Sequence, residues 1–109
     1  MIKASIYIPA YNAEKTITEV LDSVFNQSIP FEEVIVVNDC SNDNTLNCLK
    51  SFKNLNIINN DKNKGLSYCR NIALEKSKNE IVASIDSDVV LDKFWLEKIS
   101  NHLKDNIVL

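Results

Sequence analysis

The chain contains 109 residues, enough for one compact domain and too few for two, so residues 1–109 are predicted to form a single domain. Hydrophobic residues make up 45% of the chain and charged residues 25%, as in an ordinary soluble globular protein. A net charge of -3, with both signs interspersed, excludes the basic surface that nucleic acids and anionic lipids require.

The chain has no pattern typical of export or membrane insertion. Its amino terminus leads directly into a strand pattern and its longest apolar stretches are strand-sized, so we predict neither a signal peptide nor a transmembrane helix. The cysteines, Cys40, Cys48 and Cys69, have no CxxC spacing. We interpret them as reduced thiols that pack inside a cytosolic protein rather than react.

Strand and helix patterns alternate through the first half of the chain. Residues 4–9 have the pattern of a strand that Pro9 ends, and Asn12 is placed to cap the helix that follows. A continuous β-branched run at residues 34–37 is typical of a strand covered on both faces. The helix between these strands has apolar residues at helical spacing: Ile17, Val20, Leu21, Val24 and Phe25.

The second half of the chain repeats this alternation. Strands are predicted at residues 55–58 and 80–85, and the polar loop 59–64 closes at Gly65. Helices are predicted from about Asp43 and at residues 66–78 and 93–103. Their inward-facing residues are predicted to be Leu46, Leu49 and Phe52 in the first, Cys69, Ile72 and Ala73 in the second, and Trp95, Ile99 and Leu103 in the third.

The order of these elements predicts the fold class. Strands that alternate with helices imply crossover connections and parallel pairing. We therefore predict an α/β fold, a Rossmann-like three-layer sandwich with a mostly parallel sheet. Residues 106–109 begin like another strand, so we expect this sequence to be the front part of a longer protein, truncated within the fold.

Asp86-Ser87-Asp88 follows the apolar run of the fourth predicted strand. Open α/β sheets bind ligands outside the carboxyl ends of their strands. Oxygen ligands on a tight turn suit Mg²⁺ or Mn²⁺ rather than zinc, so the pattern indicates a metal site for a phosphorylated substrate. Aspartate and serine are also common in turns and caps, and the motif alone leaves a purely structural turn open.

Parallel pairing brings the loops after the first, second and fourth strands to one edge of the sheet. Tyr11 then offers an aromatic face for a base, and Asp39 offers an acceptor for a ring or ribose donor. Asp86 can reach a ribose hydroxyl, while Asp88 can hold a divalent ion against a diphosphate. These residue types predict a nucleotide site, although each of them alone also fits a structural role.

Four segments within residues 5–99 carry a family resemblance. They read SIYIPAYNAEKTITEVLDSVFNQ, EVIVVNDCSNDNT, NKGLSYCRNIAL and IVASIDSDVVLDKFWLEKI. Their order and approximate spacing resemble the amino-terminal half of a family-2 glycosyltransferase of GT-A fold. Four ordered motifs are far more specific than one aspartate pair.

The resemblance implies a pocket for a nucleotide-sugar donor. Asp39 would bind the base, Asp86 would lie near the ribose, and Asp88 would hold Mn²⁺ or Mg²⁺. Arg70, the only arginine of the chain, would approach the nucleotide. The full set of nucleotide-binding residues would be Pro9, Ala10, Tyr11, Glu14, Asp39, Gly65, Arg70 and Asp86.

The resemblance further implies an inverting, metal-dependent transferase that moves a sugar, most commonly from a UDP-sugar, to a hydroxyl of a glycan or lipid-linked acceptor. The catalytic base is expected beyond residue 109, so no catalytic residue is assigned within this chain and the chain alone is expected to be inactive. The expected location is the cytoplasm, including the inner face of the membrane. Homo-oligomers are a further expectation, because an unfinished sheet edge near Leu109 can pair with another chain.

Other classes of protein share parts of this pattern. A non-catalytic nucleotide-binding fragment stays open, as does a phosphohydrolase of the haloacid dehalogenase type, in which Asp86 would be a covalent nucleophile. That motif normally opens its domain, whereas three strand-helix units precede it here. A dinucleotide dehydrogenase is excluded, because a single glycine cannot form GxGxxG.

Overall fold

The computed structural model describes residues 2–106, which alternate between four strands and four helices. No helix in this described part is long and apolar enough to cross a membrane. The strand expected near the end falls on residues 107–109, outside the described part, and Asn106 is the last residue of a helix. The elements are β1 Ala4–Ala10, α1 Ile17–Phe25, β2 Glu33–Asn38, α2 Thr45–Lys50, β3 Leu55–Asn59, α3 Leu66–Lys76, β4 Ile81–Ser84 and α4 Trp95–Asn106.

The four strands form one sheet in the order β3-β2-β1-β4, and every neighbouring pair is parallel. The chain runs from β1 outward to β2 and β3, then returns to place β4 on the other side of β1. The connection that follows β1 leads toward β2, whereas β4 is added on the opposite side of β1. This arrangement opens a crevice at the carboxyl ends of β1 and β4, the topological switch point of the sheet.

Alternate residues of the central strands face two separate cores. Ile6 and Ile8 of β1 pack in the core shared with α1 and α2. Tyr7, which lies between them, packs with Cys69 and Ala73 of α3 on the opposite face. All six residues of β2 are buried, as predicted for a strand covered on both faces. The predicted three-layer, Rossmann-like α/β architecture is confirmed.

The predicted apolar stripe of α1 is the main attachment of this helix to the sheet. Phe25, at the end of the stripe, is 38% exposed and stacks on Phe52, which follows α2, with the ring centroids 5.8 Å apart. The other members of the stripe are at most 1% exposed: Ile17, Val20, Leu21 and Val24. Burial on this scale stabilises such a helix far more than intrinsic propensity does.

The prediction that Asn12 caps α1 is wrong. The residue at the N-cap position is Thr16, which makes no side-chain cap hydrogen bond. Asn12 lies in the left-handed region with φ 51°, where its N–H donates to the Ser41 hydroxyl at 2.9 Å. Its side-chain oxygen accepts from the Asn42 N–H at 2.9 Å. Asn12 therefore joins the loop after β1 to the loop after β2, a contact between segments 30 residues apart.

The helix predicted at residues 66–78 ends at Lys76, two residues earlier than expected. The stripe predicted for the last helix is incomplete, because Trp95 packs against the core but the stripe omits Leu96. Trp95 and Ile99 are only partly buried, whereas Leu96 is 2% exposed. The side-chain oxygen of Gln27, just after α1, accepts from the Leu96 N–H at 2.9 Å. This bond holds the first turn of α4 against the end of α1.

A buried carboxylate joins the strands at the amino edge of the sheet, opposite the crevice. Glu33 is 6% exposed. One of its oxygens accepts from the Ser5 hydroxyl at 2.8 Å and from the Lys78 N–H at 2.9 Å. The other accepts from the Asn56 amide at 3.2 Å. These bonds offset the cost of burying the charge and connect β1, β2, β3 and the loop before β4.

Candidate functional site

A cleft of about 510 Å³ lies at the switch point between the carboxyl ends of β1 and β4. Its walls come from the loop after β1, the start of α3 and the turn after β4. A cleft in this position is where an open α/β sheet binds its ligand. The lining residues are Pro9, Tyr11, Asn12, Ala13, Thr16, Leu66, Asp86, Ser87 and Asp88.

The aspartate pair forms the turn that ends β4 at this cleft. The Asp86 carbonyl accepts from the Val89 N–H at 3.2 Å, which closes the turn. The Ser87 carbonyl accepts from the Thr16 hydroxyl at 2.8 Å, which ties the turn to the start of α1. The side chains of Asp86 and Asp88 are exposed and line the same cleft. Two carboxylates therefore face one space from a single braced turn.

The donor set of this turn fits a divalent ion that is shared with a substrate. Within the described residues, no group of three or more histidine, cysteine, aspartate or glutamate side chains could enclose a metal ion. Mg²⁺, however, is commonly held by one or two carboxylates together with substrate phosphates and waters. Asp86 and Asp88 are therefore a suitable pair for Mg²⁺ or Mn²⁺ when a phosphorylated ligand supplies the remaining oxygens.

Apolar side chains provide the other surfaces of the cleft. The Tyr11 side chain is 51% exposed and Leu66 is 71% exposed, although both line the cleft. About half of Tyr11 is exposed at the cleft, so its ring is accessible to a ligand. Exposed rings and aliphatic groups beside two carboxylates suit a ligand with a flat ring at one end and negative charge at the other.

Asp39 connects the loop after β2 to the loop before α3. It is 5% exposed, and one of its oxygens accepts from the Asn60 amide and the Lys64 N–H, both at 2.8 Å. The other oxygen accepts from the Gly65 N–H at 2.9 Å. Burial acts to raise the pKa of Asp39, but these hydrogen bonds outweigh it and lower that pKa below the ordinary 3.8. Asp39 is therefore ionised and rigidly held.

The hydrogen bond to Asp39 explains why a glycine occupies position 65. Its N–H points at the carboxylate while its φ is +88°, a conformation that side chains rarely adopt. Ala10 lies next to the same region: it is buried, and its carbonyl accepts from the Asp39 N–H at 2.9 Å. Ala10, Asp39 and Gly65 thus brace the site, and none of them is among the described residues that line the cleft.

A second set of hydrogen bonds fixes the loop between β1 and α1. The Ala13 N–H donates to the Thr45 hydroxyl at 2.8 Å, and the Glu14 N–H donates to an Asp43 oxygen at 3.3 Å. Burial acts to raise the pKa of Asp43, but hydrogen bonds from Thr45 and Glu14 lower it below 3.8. The Glu14 side chain is exposed and lies outside the set of described residues that line the cleft.

Arg70 lies on α3, one turn after Leu66, with its side chain exposed. Burial is the main cause that raises the pKa of Tyr7 above 10.0. The positive charge of Arg70 opposes this rise and the negative charge of Asp86 adds to it. Arg70 and Asp86 therefore lie close enough to Tyr7 for their charges to act on the same hydroxyl, although Arg70 does not line the cleft among the described residues.

The three cysteines are free but differ in their surroundings. Cys69 is 0% exposed, and burial together with the charge of Asp39 raises the pKa of its thiol above 9.0, which makes it unreactive. Cys48 is half-buried. The expectation that all three thiols pack inside is wrong for Cys40, which is exposed. Cys40 lies in the loop after β2, next to Asp39, with φ 60°.

The structure thus brings the sequence-predicted residues together in two groups. Pro9, Tyr11, Asp86 and Asp88 line the cleft, and the remaining predicted residues surround or brace it. Sequence reasoning missed Ala13, Thr16 and Leu66, which also line the cleft. The position of Leu66, directly after the only glycine and at the start of a helix, was the one available signal for it.

Comparisons with known proteins agree with this geometry. A family model described as "Glycosyl transferase family 2" matches residues 5–108. The chain is 36% identical over 119 aligned residues to the poly(ribitol-phosphate) beta-N-acetylglucosaminyltransferase TarS of Staphylococcus aureus. The alignment covers 100% of this chain and 21% of TarS, so the chain spans about a fifth of the length of this curated relative.

Two solved structures have the same fold. The crystal structure of TarS residues 1–349 in complex with UDP-GlcNAc matches with a TM-score of 0.88 and 36% identity, covering 95% of this chain and 32% of that one. A mannosyltransferase from Pyrobaculum calidifontis, in complex with GDP-Man and Mn²⁺, matches with a TM-score of 0.88 and 26% identity, covering 97% of this chain and 33% of that one. The family match over residues 5–108 shows that the chain belongs to glycosyl transferase family 2.

Proposed function

We propose that this chain is the donor-binding part of an inverting, metal-dependent glycosyltransferase that uses a nucleotide sugar, with a UDP-sugar as the expected donor. The observation that carries the proposal is the cleft at the β1–β4 switch point, where Asp86 and Asp88 face the same space as the exposed ring of Tyr11. A nucleoside diphosphate has a flat base at one end and two phosphates at the other. This chemistry matches the two ends of the cleft.

The structural neighbours support this choice of ligand. One neighbour is in complex with UDP-GlcNAc and the other with GDP-Man and Mn²⁺. Both contain a fold that superposes on nearly all of this chain. The two complexes support a nucleotide-sugar donor and a divalent ion. Uracil is favoured over guanine as the base, because TarS is 36% identical to this chain and the mannosyltransferase is 26% identical.

The base is assigned to the side of the cleft formed by the loop after β1. Tyr11 would stack on the base, with Pro9, Ala10 and Glu14 forming the surrounding loop. Asp39 would accept a ring N–H of the base beside the donors that hold it, which are the Asn60 amide, the Lys64 and Gly65 N–H groups and the Cys69 thiol. The two backbone donors keep the carboxylate in place within the loop.

The phosphates are assigned to the side formed by the turn after β4. Asp86 would accept from a ribose hydroxyl and Asp88 would hold Mn²⁺ or Mg²⁺. The exposed Arg70 would supply positive charge near the nucleotide. When bound, the ion neutralises charge on the departing diphosphate. The residues of this chain would bind and orient the donor, and a carboxylate base outside these 109 residues would deprotonate the acceptor.

Further aspects of the proposal concern the whole protein. The acceptor is proposed to be a hydroxyl of a glycan or of a lipid-linked molecule, and the name of the S. aureus relative, which specifies poly(ribitol-phosphate), supports a polymeric acceptor. A reducing compartment, the cytoplasm, is proposed because the three cysteines are free. Self-association is proposed to occur through unpaired sheet edges.

Isothermal titration calorimetry tests the proposal. The folded polypeptide is titrated with UDP, GDP, UDP-GlcNAc and GDP-Man, with and without Mn²⁺. We expect UDP to bind and Mn²⁺ to strengthen the binding, because the diphosphate needs a counter-charge beside Asp86 and Asp88. A folded sample that binds none of these ligands, with or without the metal, contradicts the proposal.

The Asp88→Asn variant tests the metal assignment. We expect it to lose most of the Mn²⁺-dependent gain in UDP affinity, since an amide is a weaker ligand for a hard cation than a carboxylate. Asp22→Asn, at an exposed position of α1, is the matched control and should behave like the unaltered chain. An Asp88→Asn variant that keeps the full Mn²⁺ effect would remove Asp88 from the metal site.

A further inference from the structure

Thr16 makes an unusual use of its hydroxyl. A threonine at an N-cap normally accepts a hydrogen bond from a backbone N–H of the first helical turn. Thr16 occupies the N-cap position of α1 without any side-chain cap bond. Its hydroxyl instead donates to the Ser87 carbonyl at 2.8 Å, across 71 residues of sequence. The alternative acceptor, the Ala13 carbonyl, is farther away at 3.5 Å.

This bond reaches the peptide group that joins Ser87 to Asp88, between the two aspartates. Both aspartates of the turn at residues 86–89 are exposed. Within the turn, the Val89 N–H donates to the Asp86 carbonyl. The Thr16 hydroxyl adds a second, external contact. Thr16 is attached to α1, which is anchored in the core by residues that are at most 1% exposed, so the turn is fixed to a rigid element.

We propose that Thr16 is a positioning residue for the metal and diphosphate end of the cleft. It holds the Ser87 carbonyl so that the Asp86 and Asp88 side chains face the same space. The inference rests on the proposed function for the identity of the ligand, but the contact itself does not depend on it. Groups that orient the ligands of a metal typically change metal affinity about 10–100-fold when they are removed.

Thr16→Val is the direct test, because valine keeps the branched shape and replaces the hydroxyl with a methyl group that cannot donate a hydrogen bond. Since Thr16 provides no cap hydrogen bond, valine does not remove a helix cap. We expect Mn²⁺-dependent UDP binding to weaken about tenfold. UDP binding without metal should weaken less than binding with Mn²⁺, because the residues assigned to the base are untouched. Thr16→Ser restores the hydroxyl and should restore the Mn²⁺ effect.

A measurement without any ligand separates this inference from the proposed function. In ¹H–¹⁵N NMR spectra of the nucleotide-free protein, the amides of residues 86–89 should shift or broaden in Thr16→Val and stay unchanged in Thr16→Ser. In one outcome, the unaltered chain binds no nucleotide while these amides are still perturbed in Thr16→Val. That pair of results would overturn the proposed function and would still support the contact between Thr16 and the turn.

Two results would overturn the positioning role. One is a Thr16→Val variant with unchanged turn amides and a full Mn²⁺ effect. The other is an equal loss of UDP affinity with and without Mn²⁺, accompanied by a lower melting temperature in both Thr16→Val and Thr16→Ser. The second result would show a general structural role rather than control of the metal end.

Discussion

A single buried carboxylate, Asp39, organises much of the candidate site. It lies at the end of β2, yet it accepts hydrogen bonds from Asn60, Lys64 and Gly65, which belong to the connection between β3 and α3. The loop before α3 is polar and has no apolar core of its own. Its conformation therefore depends on this charge, and a nucleotide-binding role of Asp39 would be combined with a structural one.

Replacement of Asp39 with asparagine should lower the free energy of unfolding by about 1–3 kcal/mol, the cost of leaving a buried polar group without its partner. Asparagine presents an NH₂ group to one of the backbone N–H donors that now face an oxygen. Urea denaturation followed by circular dichroism measures the change. Asp22→Asn, at an exposed site, should stay within about 0.5 kcal/mol, and an equal effect of the two changes would contradict the structural role.

The stabilisation by Asp39 should depend on pH in a defined direction. Its hydrogen bonds lower its pKa in the folded protein below the ordinary 3.8, so the unfolded chain binds the proton more readily. The contribution is complete above pH 3.8 and is lost as the pH falls through the lower folded value. The difference in unfolding free energy between the unaltered chain and Asp39→Asn, measured in urea at a series of pH values, should shrink below pH 3.8. A constant difference would contradict this origin.

A separate prediction concerns the exposed ring of Tyr11. If a base stacks on it, Tyr11→Ala should weaken UDP binding by about 1–3 kcal/mol, while Tyr11→Phe should keep most of the affinity. Calorimetry without Mn²⁺ isolates this end of the ligand. Tyr68→Ala is the matched control, since Tyr68 is 40% exposed on α3 and is outside the described cleft residues. Equal losses in the two alanine variants would rule out stacking on Tyr11.

The helices differ in how they are held. α2 has only six residues, Thr45–Lys50, which is too short to be stable alone in water. Its stability comes from Leu49, which is 0% exposed in the core, and from Asp43 just before it, which accepts from the Thr45 N–H at 2.9 Å. The helix in turn carries the Thr45 hydroxyl that fixes Ala13 beside the cleft. Packing of a short element thus controls the geometry of the site.

A matched pair of leucines tests this dependence on packing. Leu49→Ala should lower the unfolding free energy by about 2–5 kcal/mol, because it removes a fully buried side chain and leaves a cavity. Leu74→Ala, on α3, should cost about 1 kcal/mol or less, since Leu74 is already 46% exposed. Urea denaturation of both variants measures the difference. Similar losses would show that α2 is not held by its core residue.

At the scale of the whole molecule, the order of the strands determines where the cleft lies. Because β4 returns to the far side of β1, the loop that carries Tyr11 and the turn that carries Asp86 and Asp88 meet at one switch point. The Glu33 network connects the strands at the opposite edge. One edge of the sheet is therefore braced by internal polar contacts, while the other is left open to a ligand.

The 109-residue polypeptide by itself should bind a UDP-sugar without transferring the sugar. The described residues around the cleft are proposed to bind and orient a donor, and the base that activates an acceptor is proposed to lie outside them. Release of UDP from UDP-GlcNAc in the presence of an acceptor, with the S. aureus relative as positive control, measures turnover. Sugar transfer that depends on Asp88 would contradict this prediction. Phosphate-ester hydrolysis that depends on Asp86 would favour the phosphohydrolase instead.

The sequence by itself determined the fold class, the alternation of elements, the double-sided burial of β2 and the apolar stripe of α1, because these follow from the local spacing of apolar residues. It also indicated the aspartate pair and Tyr11, since strand ends are readable in the chain. Only the tertiary structure decided that Asn12 joins two loops, that Leu96 is more deeply buried than Trp95, and that Thr16 braces Ser87. These contacts join segments 30 to 71 residues apart. Such pairings depend on how the layers pack, which no local pattern contains.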